Sequence, residues 1–95
     1  MLVIAHHDVK NPEVFWTKAQ TVTATLPPDL KLHSVFPSKD MKLGTCIWEA
    51  PTVNDVQKFL DENVGDVSNN TCYELDEANS MGLPAKKVTE AAAAN

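Results

Sequence analysis

The pattern of apolar and polar positions along the chain predicts four strands and two helices in alternation. Short runs rich in β-branched and aromatic residues predict strands, and apolar residues three or four positions apart predict helices. The predicted strands are Leu2–Val9, Leu30–Phe36, Leu43–Glu49 and Thr71–Leu75, and the predicted helices are Pro12–Leu26 and about Val53–Val64. The order of elements is therefore βαββαβ.

Capping and breaking residues mark the ends of the two predicted helices. Asn11 precedes Pro12, and an amide side chain followed by proline is typical of a helix start. Pro27 ends this helix, because proline cannot continue it. Thr52 caps the second helix and Gly65 ends it. The apolar faces consist of Phe15, Ala19, Val22 and Leu26 in the first helix and of Val53, Val56, Leu60 and Val64, with Phe59 beside them, in the second.

The order of the elements determines the topology that we expect. A βαββαβ chain is typical of the α+β ferredoxin-like fold, and right-handed crossovers give a four-stranded antiparallel sheet in the order 4-1-3-2. Both helices then cover one face of the sheet. The other face still carries apolar residues, so we expect a homodimer in which two sheets close into an α/β barrel. The domain spans residues 1–84, and residues 85–95 form an Ala- and Lys-rich tail, expected to be a frayed helix or disordered.

Composition and charge exclude several classes of partner. The chain has 95 residues, and its 8 Lys and Arg against 13 Asp and Glu give a net charge of −5, which disfavours nucleic-acid binding. No apolar run approaches the roughly 20 residues of a membrane helix. The apolar start is interrupted at His6 too early for a signal peptide, so we expect a cytoplasmic protein. Cys46 and Cys72 are too few for a disulfide scaffold and are expected to be free thiols.

The third strand and the segment after it resemble a known superfamily. The segment Thr45–Pro51 (TCIWEAP) runs into an amphipathic helix, and together with the element order it resembles the dimeric α/β-barrel superfamily over about residues 1–84. The stretch CxWEAPT is also similar to a group of small uncharacterised barrel proteins, some of which are reported to bind nickel. The superfamily includes monooxygenases, isomerases, polyketide cyclases, heme enzymes and simple binders, so the resemblance implies a fold and no single reaction. Heme-degrading and cyclase members place a histidine in or near the second helix, whereas residues 51–70 contain none.

His7 is the leading candidate for a functional residue. Histidine titrates near neutral pH, and adjacent strand residues point to opposite faces, so His6 and His7 cannot both enter one site. Counted from Met1 as in the superfamily that the chain resembles, His7 lies on the lumen face of the barrel together with Val3 and Ala5. A hydrogen-bonded structural role for His7 is the alternative.

Trp48 and Tyr73 are expected beside His7, because their strands flank the first strand in the predicted order. An indole ring would line an apolar pocket and change the pKa of His7. The Tyr73 hydroxyl would donate to a carbonyl oxygen or an oxyanion. The predicted ligand pocket therefore comprises His7, Trp48, Tyr73 and His33, with His7 as base and Tyr73 as donor if the protein is an enzyme. Packing within the strands is the alternative role for both aromatic residues.

The direction of His33 depends on the register of the predicted hairpin. In one register His33 is opposite Cys46 and shares a face with Trp48, and in the next it is opposite Ile47 and faces away. Imidazole and thiolate are suitable ligands for zinc or nickel. A metal site made of His7, His33 and Cys46 is therefore an alternative interpretation, although the spacing of these residues matches no compact metal motif.

Three functions follow from these observations. The leading hypothesis is a small homodimeric barrel that binds a small apolar molecule in its lumen, with or without catalysis. If it is an enzyme, we expect no organic cofactor and proton transfer beside a carbonyl group, in an isomerase, cyclase or monooxygenase type of reaction. The alternatives are a protein that binds nickel or zinc and a non-catalytic dimer module or ligand sensor.

Overall fold

The computed structural model describes residues 1–83, which form a four-stranded antiparallel sheet and two helices. The elements in chain order are β1 (Leu2–Val9), α1 (Pro12–Thr23), β2 (Lys31–Pro37), β3 (Leu43–Glu49), α2 (Val53–Val64), β4 (Ser68–Glu74) and a single 3-10 turn at Glu77–Asn79. The strands lie in the order β2-β3-β1-β4. The α+β ferredoxin-like fold and the strand order are therefore confirmed, whereas the predicted tail, residues 85–95, lies outside the described residues. Within residues 1–83, neither helix is long and apolar enough to span a membrane.

Both helix caps form as the sequence predicts. The Asn11 side chain accepts a hydrogen bond from the backbone N–H of Val14 at 3.3 Å. The Thr52 hydroxyl oxygen accepts from the backbone N–H of Asp55 at 3.1 Å and donates to the Asp55 carboxylate at 2.8 Å. These bonds satisfy amide groups that have no partner inside the helix and so fix where each helix starts.

Two element boundaries differ from the prediction by three residues, whereas both ends of β2 and the end of β4 differ by one. Helix α1 ends at Thr23, three residues before Leu26, and the Thr23 hydroxyl donates to the Ala19 carbonyl at 2.8 Å. Such bonds let threonine compete with regular helical geometry. Strand β4 starts at Ser68 instead of Thr71, because the intervening asparagines pair with β1 despite their low strand propensity.

The hydrophobic core lies between the sheet and the two helices. Val56, Leu60 and Val64 of α2 are buried in it, as the spacing of the apolar positions predicts. The sheet contributes alternate residues of β1 and β3 to this core, and α1 contributes mainly Phe15. The buried members are Val3, Ala5, Val9, Phe15, Leu30, Cys46, Trp48, Ala50, Val56, Leu60, Val64 and Val67.

The prediction that His7 lies on the lumen face of a barrel is wrong. His7, Val3 and Ala5 point towards the helices and not towards an open lumen face, since Val3 and Ala5 belong to the helix-side core. His7 is 2% exposed, and its ring centroid lies 5.2 Å from that of Phe15. The site that contains His7 therefore lies within a single copy of the chain, beneath its helices.

The β2–β3 hairpin contains an irregularity at His33 that neither predicted register includes. Leu32 pairs with Trp48, but Ser34 pairs with Ile47, so His33 is an extra residue between two pairs. Such a bulge changes the direction of the local side chain. The His33 Nε2 atom lies 2.9 Å from the Glu49 carboxylate, and this pairing directs the imidazole away from Trp48.

The outer face of the sheet, which points away from the helices, carries several apolar side chains among polar ones. Leu2 and Ile4 of β1 are buried but do not belong to the helix-side core. Phe36 on edge strand β2, Leu43 at the start of β3 and Tyr73 on edge strand β4 are 58%, 45% and 55% exposed. Exposed apolar side chains that share one face are typical of an interaction surface.

Candidate functional site

The His7 imidazole is held in one orientation by Asn70. His7 Nδ1 lies 2.7 Å from Asn70 Oδ1, and these two residues are register partners in the β1–β4 pair. The Asn70 Nδ2 group donates to Asp61 at 3.1 Å, which leaves Oδ1 as the acceptor that faces His7. His7 Nδ1 therefore carries the hydrogen, and the lone pair of the neutral ring is on Nε2.

The free lone pair of His7 faces the thiol of Cys46. The Sγ atom of Cys46 lies 3.4 Å from His7 Nε2, so the thiol donates a weak hydrogen bond to this nitrogen. Burial raises the pKa of Cys46 to about 12, so the group is a thiol and not a thiolate at neutral pH. Cys46, His7 and Asn70 thus form a continuous chain of thiol, imidazole and amide.

Burial also determines the charge of His7. Removal of the ring from water lowers its pKa, an effect that the hydrogen bond to Asn70 partly offsets, and the nearby His6 lowers the pKa further. The imidazole is therefore neutral at pH 7, and neutral imidazole is the form that accepts a proton. A buried, oriented and neutral histidine has the properties of a general base.

A pocket opens above His7 between the sheet and both helices. Its walls are mostly aromatic and aliphatic side chains, and its interior volume is about 40 Å³, space for roughly one to three water molecules. A ligand of several heavy atoms therefore requires the side chains of the wall to move apart. The lining residues are His7, Phe15, Trp16, Ala19, Val22, Thr23, Leu32, Val35, Cys46, Trp48, Phe59, Leu60, Asn63 and Val64.

Trp48 lines this pocket and has a hydrogen-bond donor without a partner in the described part of the chain. Its ring packs against Phe59 with centroids 6.0 Å apart, and the residue is 2% exposed. The buried indole Nε1 has no hydrogen-bond partner among residues 1–83. In contrast, the indole Nε1 of Trp16, which also lines the pocket, donates to the Met41 carbonyl at 2.9 Å. A buried donor without a partner is costly, so Trp48 is a candidate donor to a bound ligand.

Gly44 allows the pocket wall to form. A Cβ atom at this position would lie 3.1 Å from Trp16 Cη2 and 3.6 Å from His7 Cδ2. The Trp16 ring therefore occupies space that any other residue at position 44 would fill, and it stacks edge-on against Phe15 with centroids 4.8 Å apart. The glycine is needed here for close approach and not for an unusual backbone angle.

The structure brings together only part of the predicted site. His7, Trp48 and Cys46 all line the pocket. Tyr73 pairs with Ile4 on the outer face and is 55% exposed, so it is not the donor beside His7. The prediction of a shared pocket with Tyr73 is wrong for geometric reasons, since the two side chains are on opposite faces of the sheet.

The predicted metal ligands are also divided between the two faces. His33 pairs with Glu49 on the outer face, whereas His7 and Cys46 lie beneath the helices. These three side chains therefore do not form one ligand set within a single copy of the chain. Among residues 1–83, no group of three or more His, Cys, Asp or Glu side chains is arranged to hold a metal ion.

The two cysteines are free, as predicted. Both are register partners of Ala5, Cys46 from β3 and Cys72 from β4. Strand β1 thus separates them by two strand spacings, about 9.5 Å, which exceeds the Cα separation that a disulfide tolerates.

Sequence reasoning missed Asn70 and Trp16. Asn70 lies in a polar stretch typical of a loop, and only its pairing with β1 places its amide beside His7. Trp16 follows Phe15 directly, and the apolar spacing of α1 does not include it. A longer fourth strand in the prediction would have placed Asn70 opposite His7.

Comparisons with known proteins found no matching family model, no similar curated protein and no similar solved structure.

Proposed function

We propose that this protein binds a compact, mostly apolar carbonyl compound in the pocket above His7 and transfers a proton at the carbon next to the carbonyl group. The unpartnered indole N–H of Trp48 is the observation that carries this proposal. An apolar pocket with one free donor suits a ligand that has one acceptor oxygen. The proposed reaction requires no organic cofactor.

The proposed base is His7 Nε2. His7 Nδ1 is committed to Asn70, so only Nε2 is left to accept a proton. Its contact with the Cys46 thiol is long and weak, so a ligand displaces it at little cost. As the base removes a proton from carbon, negative charge moves to the carbonyl oxygen, where the Trp48 N–H would stabilise it.

A dimer that forms through the outer face belongs to the same proposal. Phe36 and Tyr73, on the two edge strands, and Leu43, at the start of β3, are exposed on this face. A second copy of the chain presents the same side chains, so a two-fold axis through the face would bury both sets together. We propose that this homodimer acts in the cytoplasm.

Two other functions are alternatives to proton transfer. A metal-binding function lacks a ligand set within the described part of one subunit. A non-catalytic sensor would use the same pocket for binding, and it differs only in the absence of proton transfer.

Exchange of carbonyl-adjacent hydrogens tests the proposed reaction. Butanone incubated with the protein in deuterium oxide should gain deuterium next to its carbonyl group, as measured by mass spectrometry. His7→Gln retains an N–H for Asn70 but has no basic nitrogen, so exchange should fall by about 100-fold or more.

The matched control is His6→Gln. His6 is exposed and lies on the opposite face of the same strand, and it makes the smallest of the three contributions to the His7 pKa, so this variant should exchange butanone at nearly the wild-type rate. Equal exchange by the wild type and His7→Gln would contradict the proposed role of His7, and butanone binding without exchange would favour the sensor.

A further inference from the structure

We infer that Cys46 is a nucleophile that adds to α,β-unsaturated carbonyl compounds bound in the pocket, with His7 as the group that transfers its proton. The inference rests on the proposed function, because it uses the same pocket and the same donor for the carbonyl oxygen.

The first support is the order of the three groups. The Cys46 thiol donates to His7 Nε2 at 3.4 Å, and His7 Nδ1 donates to Asn70 Oδ1 at 2.7 Å. A thiol, an imidazole and an amide oxygen in this order are the parts of Cys-His-Asn nucleophilic sites, which are recognised by geometry and not by sequence order. The amide fixes the imidazole, and the imidazole accepts the thiol proton.

The second support is the surroundings of the thiol. Cys46 and Trp48 are two residues apart on β3, so both side chains point to the pocket, about 7 Å apart along the strand. The indole N–H of Trp48 has no partner within residues 1–83. A conjugated carbonyl compound separates its electrophilic carbon from its oxygen by three bonds, so one small molecule can reach the sulfur and the donor together.

The proposed step balances without any further reagent. The sulfur of Cys46 forms a bond to the β-carbon, and the electron pair of the C=C bond moves to give an enolate whose oxygen faces Trp48. The thiol proton passes to His7 Nε2 and from there to the α-carbon. The product is a saturated thioether, and the reverse sequence releases the ligand.

The second free cysteine, Cys72, provides an internal comparison for the reactivity of Cys46. It is half-buried, whereas Cys46 is buried, and burial raises the pKa of Cys72 to about 11 and that of Cys46 to about 12. A thiol that reacts according to its acidity and exposure alone would therefore be Cys72. Faster addition at Cys46 requires assistance from its surroundings.

The experiment treats the full-length protein with methyl vinyl ketone at neutral pH and follows adducts on the two cysteine peptides by mass spectrometry. We expect addition at Cys46 before Cys72. In His7→Gln the rate at Cys46 should fall by about 100-fold, with the rate at Cys72 unchanged as an internal control.

Addition at Cys72 first, or an unchanged Cys46 rate in folded His7→Gln, overturns the inference. If His7→Gln does not fold, the order of addition in the wild type still decides the question. Butanone, the saturated analogue, separates the two proposals. If butanone binds but Cys46 does not add first, only this inference fails, whereas failure of both results overturns the proposed function as well.

Discussion

Asn70→Ala gives the most informative perturbation of the site, because Asn70 fixes the orientation of His7. Its Oδ1 atom accepts from His7 Nδ1 and from the Ser68 hydroxyl, both at 2.7 Å. Ser68 has a second acceptor in the Val64 carbonyl at 3.1 Å, so its hydroxyl keeps a partner in the variant. The His7 N–H, on a ring that is 2% exposed, loses its only acceptor in the described structure.

The expected cost follows from that one orphaned donor. A buried donor without a partner costs about 1–3 kcal/mol, so we expect Asn70→Ala to lower the free energy of unfolding by about 2 kcal/mol. The contact with Asp61 adds little, because Asp61 is exposed. For a domain of this size, 2 kcal/mol corresponds to a fall in melting temperature of roughly 10 °C.

Urea unfolding followed by far-ultraviolet circular dichroism measures this cost, at one protein concentration so that any self-association is constant. Asn69→Ala is the matched control, since Asn69 is the exposed neighbour on the same strand, and its cost should stay below about 0.5 kcal/mol. His7→Phe provides the second background, because it retains a ring but removes the N–H. In the His7→Phe background, Asn70→Ala should lower the free energy of unfolding much less, so that the coupling energy between the two positions is about 2 kcal/mol. Equal costs in both backgrounds would refute the assigned role of Asn70.

Three further predictions concern pH, the pocket wall and the outer face. Burial lowers the pKa of His7 below its usual 6.5, so the unfolded chain binds the proton first as pH falls. The free energy of unfolding should therefore decline below about pH 6.5, and His7 contributes at most about 1.4 kcal/mol per pH unit to this decline. If His7→Phe shows the same decline with pH in urea unfolding, the prediction is wrong. Gly44→Ala should destabilise the fold by about 1–3 kcal/mol, because the new methyl group displaces the Trp16 ring; urea unfolding within 0.5 kcal/mol of the wild type would show that the ring adapts freely. Phe36→Lys should weaken the dimer, and light scattering should shift towards the 10.4 kDa monomer; a wild-type monomer at micromolar concentration would disprove the dimer itself.

The elements were predictable because their signals are local. The apolar spacing of α2 and its Thr52 cap appear in the sequence and in the structure alike. The strand order followed from right-handed crossovers, a rule that holds whatever the side chains are. The hairpin register was not predictable from the sequence. The register shifts at His33, and the His33 side chain pairs with Glu49 of the neighbouring strand, a contact between distant positions.

The face that carries His7 was not predictable from β1 alone. Alternation indicates that Val3, Ala5 and His7 share a face, but the opposite face also begins with two large apolar residues, Leu2 and Ile4. The two faces differ clearly only at their last residues, Asp8 and Val9, and this contrast alone is a weak indication of which face the helices cover. The amide partner of His7 was hidden for a related reason, since it comes from a strand more than 60 residues away.

The most direct test of the proposed site is the indole N–H signal of Trp48 in a proton–nitrogen NMR spectrum during titration with butanone. The chain has two tryptophans, and Trp16 already donates to Met41, so its signal is an internal reference, with Trp48→Phe to assign the pair. We predict a saturable downfield shift of the Trp48 proton and almost no change for the Trp16 proton. A Trp48 signal that does not move, or that moves no more than the Trp16 signal, would contradict a carbonyl-binding pocket above His7.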